Sequence, residues 1–311
     1  MMGDTVRWFA ALLLIGWTTS CGGDVAADGG EPDADSTDVA TEATPDSPDE
    51  TDAPDGEDAP DAENPCPAGM TLVPAGPFRM GSDPGEGQTD ELPEHEVLVS
   101  AFCIDLVEVT NAAYRACDDE GSCPGPLSRA SWTRRDYYTS AAYDDYPVVY
   151  VDWGSASAFC ASLGKRLPTE AEWEKAARGG CELVAPAGCG PEDERSHPWG
   201  DETPTCDLAN FERCVGDTDR TGTRPAGDGP YGNHDMVGNV WEWVGDYYDI
   251  AGYADCAAGC ADPTGPATGS ARTLRGGSWR NAPDYVRAPD RFGMDGESPH
   301  DFVGFRCAAD P

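Results

Sequence analysis

The sequence predicts a loop-rich domain of short strands and a few helices, preceded by a processing segment and an acidic tether. Three observations carry this. Alternating apolar and polar residues mark short strands early in the domain, capped helical stretches follow them, and beyond residue 180 Gly and Pro punctuate a chain without long periodic segments. No repeat of roughly 20–50 residues is present, which excludes solenoids and propellers.

Residues 1–21 form the processing segment. Arg7 precedes an apolar run from Trp8 to Trp17. This run is shorter than the about 20 residues of a spanning helix and fits the apolar region of a signal peptide. It ends in Thr18, Thr19, Ser20 and Cys21, an arrangement similar to a bacterial lipobox, in which the Cys is lipidated and becomes the new N-terminus. Thr18 departs from the aliphatic residue usual in that pattern. Ordinary secretion with Cys21 removed or unpaired, or a lone spanning helix, are the alternatives. Gly22 rather than Asp follows Cys21, which by the sorting pattern of such lipoproteins implies the outer membrane of the cell envelope.

Residues 22–65 read as a disordered acidic linker. Between residues 24 and 64 there are 16 Asp or Glu and no Lys or Arg. Such a segment cannot bury enough surface to offset its ordering entropy. A solvated spacer is expected, with a calcium-sequestering or partner-binding tail as the sharper alternative. The net charge is −38; Asp4 and Arg7 cancel, so 22 negative charges remain in the domain at 66–311. An acidic field repels phosphate backbones, so nucleic acid is excluded as a partner, and cations and basic surfaces are favoured.

The domain opens with two strands, from Met70 and from Phe78, and a longer half-buried strand over 96–105. A helix capped by Thr110 runs past Tyr114 toward Cys117, a second covers Gly154–Leu163, and a third begins at the capping box Thr169–Glu172 and stops at Gly179. Cys21 set aside, 12 of the 13 cysteines could form six bridges, which an exported protein would keep. Close pairs are Cys117 with Cys123, Cys181 with Cys189, Cys206 with Cys214, and Cys256 with Cys260, each stapling a loop at about 2–4 kcal/mol. Cys66, Cys103, Cys160 and Cys307 remain for longer bridges, and the connectivity stays open. Structural zinc is not expected. Cys256 and Cys260 have ligand-like spacing, but no second close pair is an obvious partner, and the four His, at 95, 197, 234 and 300, are scattered.

Seven stretches occur in one order: Gly69–Gly81 (GMTLVPAGPFRMG), Val107–Asn111 (VEVTN), Pro147–Trp153 (PVVYVDW), Gly164–Glu174 (GKRLPTEAEWE), Val237–Trp243 (VGNVWEW), Leu274–Trp279 (LRGGSW) and Gly304–Cys307 (GFRC). Over about residues 66–309 this strongly resembles the formylglycine-generating enzyme, or sulfatase-modifying factor, family. The resemblance implies an α+β fold related to C-type lectins, with twisted antiparallel strands, little regular structure and flanking helices. It also implies structural calcium. One site would use the carboxylates of Asp235 and Glu242 with the carbonyls of Gly238 and Val240. The other would use Asn210 and the Phe211 carbonyl, completed by Asp217 or Asp219; Asp219 with the Thr221 carbonyl is favoured. Calcium takes six to eight such oxygens. The family also joins the second-helix Cys to the Cys of the Gly-Phe-Arg-Cys end, here Cys160 with Cys307, which leaves Cys66 for Cys103.

Enzymes of this family oxidise a substrate Cys to formylglycine with two copper(I)-binding cysteines just after the Gly-Gly-Ser-aromatic motif. Here those positions fall on Asn281 and Val286, which supply no thiolate, so copper-dependent oxidation is not expected. Ser278, Trp279, Asn281, Arg287 and Arg291 stand there instead. The arginines either brace the domain through buried ion pairs or form a pocket for a peptide or anionic ligand. The loop Ser128–Tyr138 mixes basic and aromatic residues and could touch a ligand or glycan, or be an ordinary surface loop. The sequence thus points to a non-oxidase binding or structural module at the cell surface. The alternative is an enzyme of the family, either generating formylglycine or using altered chemistry in a biosynthetic pathway.

Overall fold

The computed structural model describes residues 64–183 and 195–311. The processing segment with Cys21, nearly all of the acidic linker, and Cys189 lie outside the described residues. Among the described residues no helix is long and apolar enough to cross a membrane.

The domain is α+β. Among the described residues ten short strands form three small sheets, and four helices flank them. The first sheet orders β1 (Met70–Val73), β4 (Phe102–Asp105) and β10 (Ala308–Ala309), all antiparallel. The second orders β2 (Gly76–Met80), β3 (His95–Val99) and β6 (Cys260–Ala261). The third orders β8 (Arg291–Met294), β7 (Arg272–Arg275), β5 (Trp241–Tyr247) and β9 (Val303–Gly304). The pairings β3–β6 and β5–β9 are parallel, so the sheets are not wholly antiparallel.

The single strand expected over 96–105 is two strands in two sheets. Asp262 divides them: its carboxylate accepts from the Ser100 amide at 2.7 Å and the Ser100 hydroxyl at 2.8 Å, holding the chain where it leaves β3 for β4. The helices α1 (Asn111–Asp119), α2 (Trp153–Ser162) and α3 (Glu170–Arg178) follow their caps. Thr169 Oγ1 accepts from the Glu172 amide at 3.1 Å, while the Glu172 carboxylate accepts from the Thr169 amide at 2.7 Å. A fourth, one-turn helix, α4 (Gly252–Asp255), carries no apolar period that a sequence reading would register.

Two apolar clusters form the core. One packs Tyr114 and Phe159 from α1 and α2 against Trp243, Leu274 and Phe305. The other packs Phe78, Val97 and Ile104 against Trp173 of α3 and Met236. Disulfides join Cys66–Cys103, Cys117–Cys123, Cys160–Cys307, Cys206–Cys214 and Cys256–Cys260. Cys181 is also disulfide-bonded.

All nine residues of α3 are buried, four of them ionised types apart from Arg178. Their charges are matched. Glu174 takes the Arg275 guanidinium and, at 3.0 Å, Arg178. Arg275 also donates to the carbonyls of Ala288, Pro289 and Asp290 at 3.0, 2.9 and 2.8 Å, tying β7 to the segment that carries the candidate site. Buried charges persist only when paired in this way.

Candidate functional site

The site begins where β7 ends. Gly276 and Gly277 lie at φ 95° and 74°. A Cβ on Gly276 would stand 2.7 Å from the Met236 carbonyl, and one on Gly277 would stand 2.4 Å from that of Tyr285. Only glycine permits both the conformation and the approach. The turn delivers Ser278 into the interior and Asn281 beside it. The Asn281 side-chain oxygen accepts from the Ser278 hydroxyl at 2.7 Å, the Ser278 amide at 3.0 Å and Trp241 Nε1 at 3.0 Å. The Asn281 carbonyl accepts from the Glu212 amide at 2.8 Å. One small amide therefore knits the loop to β5. Val286 is fully buried, packed with Ala209, Phe211 and Val237.

The two arginines brace the domain. Arg287 clasps Glu91 at 2.9 and 2.6 Å. Burial alone would raise the Glu91 carboxyl, but Arg287 and the Ser82 hydroxyl hold it below the usual range. Arg291 clasps Glu170 with 2.7 Å bonds to both oxygens, and it too outweighs burial, keeping that carboxyl low. Trp279 is buried, its Nε1 donating to the Asp301 carbonyl at 3.3 Å.

Beside Asn281 opens a cleft of about 710 Å³. Its walls include Trp241, Tyr248, Phe292, Phe302, Arg280 and Asp290. Arg280, absent from the residues the sequence singles out, is the exposed cation here. It pairs with Asp301 at 2.6 Å and lies 4.5, 4.7 and 5.3 Å from the ring centres of Trp132, Trp279 and Phe302. Trp132 is 63 % exposed. Its loop, Ser128–Tyr138, is pinned from behind: Ser131 and Thr133 donate to Asp217 at 2.7 and 2.6 Å, and Arg134 donates to the Thr218 carbonyl at 2.9 Å. Asp290, in the cleft wall, accepts from Gln88 at 2.8 Å through one oxygen, while its other oxygen is buried without a partner. Burial pushes its carboxyl up to about 8 against the opposing pull of Arg287.

The residues of the first calcium set lie in the interior, with the acids Asp235 and Glu242 buried. Asp235 and Asn239 both sit at φ 52°, curving the segment so that Gly238 meets the Asn210 backbone. The Glu242 carboxylate is already clasped by Arg306, at 2.7 Å to each oxygen, and accepts from Trp173 Nε1 at 2.8 Å. Asp235 takes the Gly222 amide at 2.6 Å. Val240 packs with Tyr137 and Val149.

A further acid, Glu108, is fully buried against this group. Asn239 donates to one of its oxygens at 2.9 Å, and the other has no partner. Burial, then the Asp235 charge, holds the Glu108 carboxyl well above the usual range, and burial raises Asp235 as well. Three buried carboxylates thus gather around Arg306, with Arg224 also acting on Asp235. The orphaned Glu108 oxygen is of the kind a hard cation takes; Asp235 and Glu108 are the residues that would hold one, with Glu242 serving Arg306. The sequence signal for Glu108 was an acid between the two valines of Val107–Asn111.

The second set lies in a hydrogen-bonded loop. Asn210 donates to the Asp217 carbonyl at 2.9 Å and to Asn239 at 3.2 Å. The Phe211 carbonyl accepts from the Cys214 amide at 3.0 Å. Asp219 pairs with Arg224 at 2.6 Å, and Thr221 donates to the Asp145 carbonyl through its amide at 3.0 Å. One Asp219 oxygen is thus shared with a guanidinium.

The fold, the seven motifs and the glycine-turned loop define a domain of the sulfatase-modifying factor class. The model of the sulfatase-modifying factor enzyme 1-like domain matches residues 56–311, and the chain belongs to this family. It is 37% identical over 249 residues to serine/threonine-protein kinase pkn1 of Chlamydia pneumoniae, which covers 77% of this chain but only 37% of that protein. It is 34% identical to the formylglycine-generating enzyme of Thermomonospora curvata, covering 78% of this chain and 94% of the relative. It is 32% identical to the inactive C-alpha-formylglycine-generating enzyme 2 of Bos taurus, covering 77% and 87%. Among solved structures, PvdO of Pseudomonas aeruginosa superposes with a TM-score of 0.61 at 25% identity, covering 78% of this chain and 94% of that one.

Proposed function

We propose that this chain is a non-oxidase binding module of its family, secreted and held at the outer membrane through lipid on Cys21. The observation that carries this reading is the replacement of the expected thiol pair. Asn281 is spent on three hydrogen bonds within the loop, Val286 is buried in an apolar cluster, and every cysteine among the described residues is in a disulfide. No thiolate there can hold copper(I), the ion that soft ligands select. What remains beside the motif is the aromatic cleft with Arg280 at its mouth. Flat apolar walls and a guanidinium against two indole rings suit an extended peptide carrying an acidic group. Calcium at Asp235 and Glu108, with the disulfides, would stabilise the scaffold.

An acidic, aromatic-containing peptide library tests the reading by titration against the intact chain. Binding that falls at least tenfold in Arg280→Ala and Trp132→Ala supports it. Incubation with copper(I) and a Cys-x-Pro-x-Arg peptide tests the opposite. Conversion of the peptide thiol to an aldehyde would overturn it. One observation favours a second reading, an enzyme of altered chemistry: the Asp290 carboxyl, pushed up to about 8 in the cleft wall, keeps its proton at neutral pH and could act as an acid.

A further inference from the structure

A separate site emerges from the pairing of β3 with β6. Cys260 on β6 stands opposite Val97 on β3, two residues from His95. Cys256 caps the C-terminal end of α4. The result gathers His95, Cys256 and Cys260, with one ligand atom of each lying within 4.8 Å of the others. Among the described residues this is the one group of three or more His, Cys, Asp or Glu so closely set. In the structure the two sulfurs are joined.

We infer that reduction of the Cys256–Cys260 disulfide opens a Cys2His site for zinc(II). The backbone holds all three ligands without the disulfide. Cys260 is fixed by the β3–β6 ladder. The Cys256 amide donates to the Tyr253 carbonyl at 3.1 Å, and its own carbonyl accepts from Gly259, at φ 90°, at 2.7 Å. The His95 Nδ1 lies 2.9 Å from the Pro93 carbonyl, to which it donates, so Nε2 keeps its lone pair for a metal. The Tyr253 ring packs 4.9 Å from the imidazole and sets its plane.

Tetrahedral zinc places two thiolates about 3.8 Å apart and a thiolate about 3.6 Å from an imidazole nitrogen, given Zn–S near 2.3 Å and Zn–N near 2.0–2.1 Å. The present spacing reaches that arrangement when the sulfurs part. His95 and Cys256 also line one cavity of about 260 Å³ with the carboxylate of Asp255, leaving room for a fourth ligand.

The chemistry balances with an external dithiol. It gives two electrons and two protons to the disulfide and leaves as its own disulfide. Zinc(II) then displaces the two thiol protons to bind as the bis-thiolate. Both cysteines are partly exposed, so a reductant can reach them, whereas Cys160 and Cys307 are fully buried.

The test uses the full chain, oxidised and after mild dithiol treatment, titrated with zinc(II) against a chromophoric chelator, and with cobalt(II) as a spectroscopic probe. One equivalent of zinc is expected in the reduced chain only, with thiolate-to-cobalt charge-transfer absorption. His95→Ala should weaken zinc at least tenfold, and Cys256→Ser with Cys260→Ser should abolish uptake. Cys206→Ser with Cys214→Ser, which removes another partly exposed bridge, should keep it. No uptake by the reduced chain, or uptake unchanged in His95→Ala or in the double Cys256/Cys260 variant, would overturn the inference.

Discussion

Arg291 meets Glu170 through two parallel N–H···O bonds of 2.7 Å, in the wall of the aromatic cleft. Arg291 further donates to the carbonyls of Asp90 and Asp249 at 3.0 Å each, so one side chain binds α3 to two loops. Arg291→Ala leaves the Glu170 carboxylate charged and unpartnered. A loss of about 3–5 kcal/mol is expected, read from urea unfolding midpoints. Loss of peptide affinity without loss of stability would mean that Arg291 serves a ligand instead.

Asn281 is the corresponding device in the loop. Asn281→Ala strands the Ser278 hydroxyl and Trp241 Nε1, both of which donate to its oxygen. Each orphaned buried donor costs about 1–3 kcal/mol. The expected result is a destabilisation of about 2–4 kcal/mol by the same measurement. Asn281→Asp keeps the acceptor and should recover most of it. Equal losses in both variants would show that the amide nitrogen, not the oxygen, holds the loop.

These cases show what the sequence can and cannot carry. The capping box of α3 was legible because Thr169 and Glu172 make their bonds within one turn. The family motifs located Ser278, Asn281 and Val286 for the same reason, since the glycine turn is local. The break between β3 and β4 was not legible, because the side chain that bends Ser100 is Asp262, which is 162 residues away. Glu108 was hidden likewise: its burial against Asp235 is a product of tertiary packing, and in sequence it is one acid among many. His95 and Cys260 meet through a parallel strand pairing that no spacing rule reveals.

Asp290 gives the domain a pH dependence of definite sign. Below the ordinary value of 3.8, folded and unfolded chains both carry the proton, and the group is neutral to stability. Between 3.8 and about 8 the unfolded carboxyl ionises while the folded one does not, so the unfolded state binds fewer protons and stability falls as pH rises. Asp246, pushed up to about 7 by burial and the Glu170 charge, adds a slope of the same sign. Asp290→Asn should therefore flatten the decline, gaining on the order of 1–3 kcal/mol over the wild type at pH 8 relative to pH 5. Parallel curves for the two proteins, measured by unfolding at several pH values, would show that Asp290 is ionised in the fold.

The interior acids set the last expectation. Glu108, Asp235 and Glu242 are at most 8 % exposed, and the guanidinium among them, Arg306, is committed to Glu242. The remaining two carboxyls must take up protons or a cation. If calcium binds them, the folded state alone gains, by about 2.7 kcal/mol when free calcium is a hundredfold above Kd. The thermal midpoint should fall on adding a chelator and return with excess calcium. Glu108→Gln removes an orphaned oxygen and one charge, so its midpoint should respond to calcium far less. Asp219→Asn should respond as the wild type does, because Arg224 already occupies that carboxylate. The comparison locates the ion as well as detecting it. A response lost in Asp219→Asn but kept in Glu108→Gln would move calcium to the second set, and a wild-type midpoint indifferent to chelator would remove it from both.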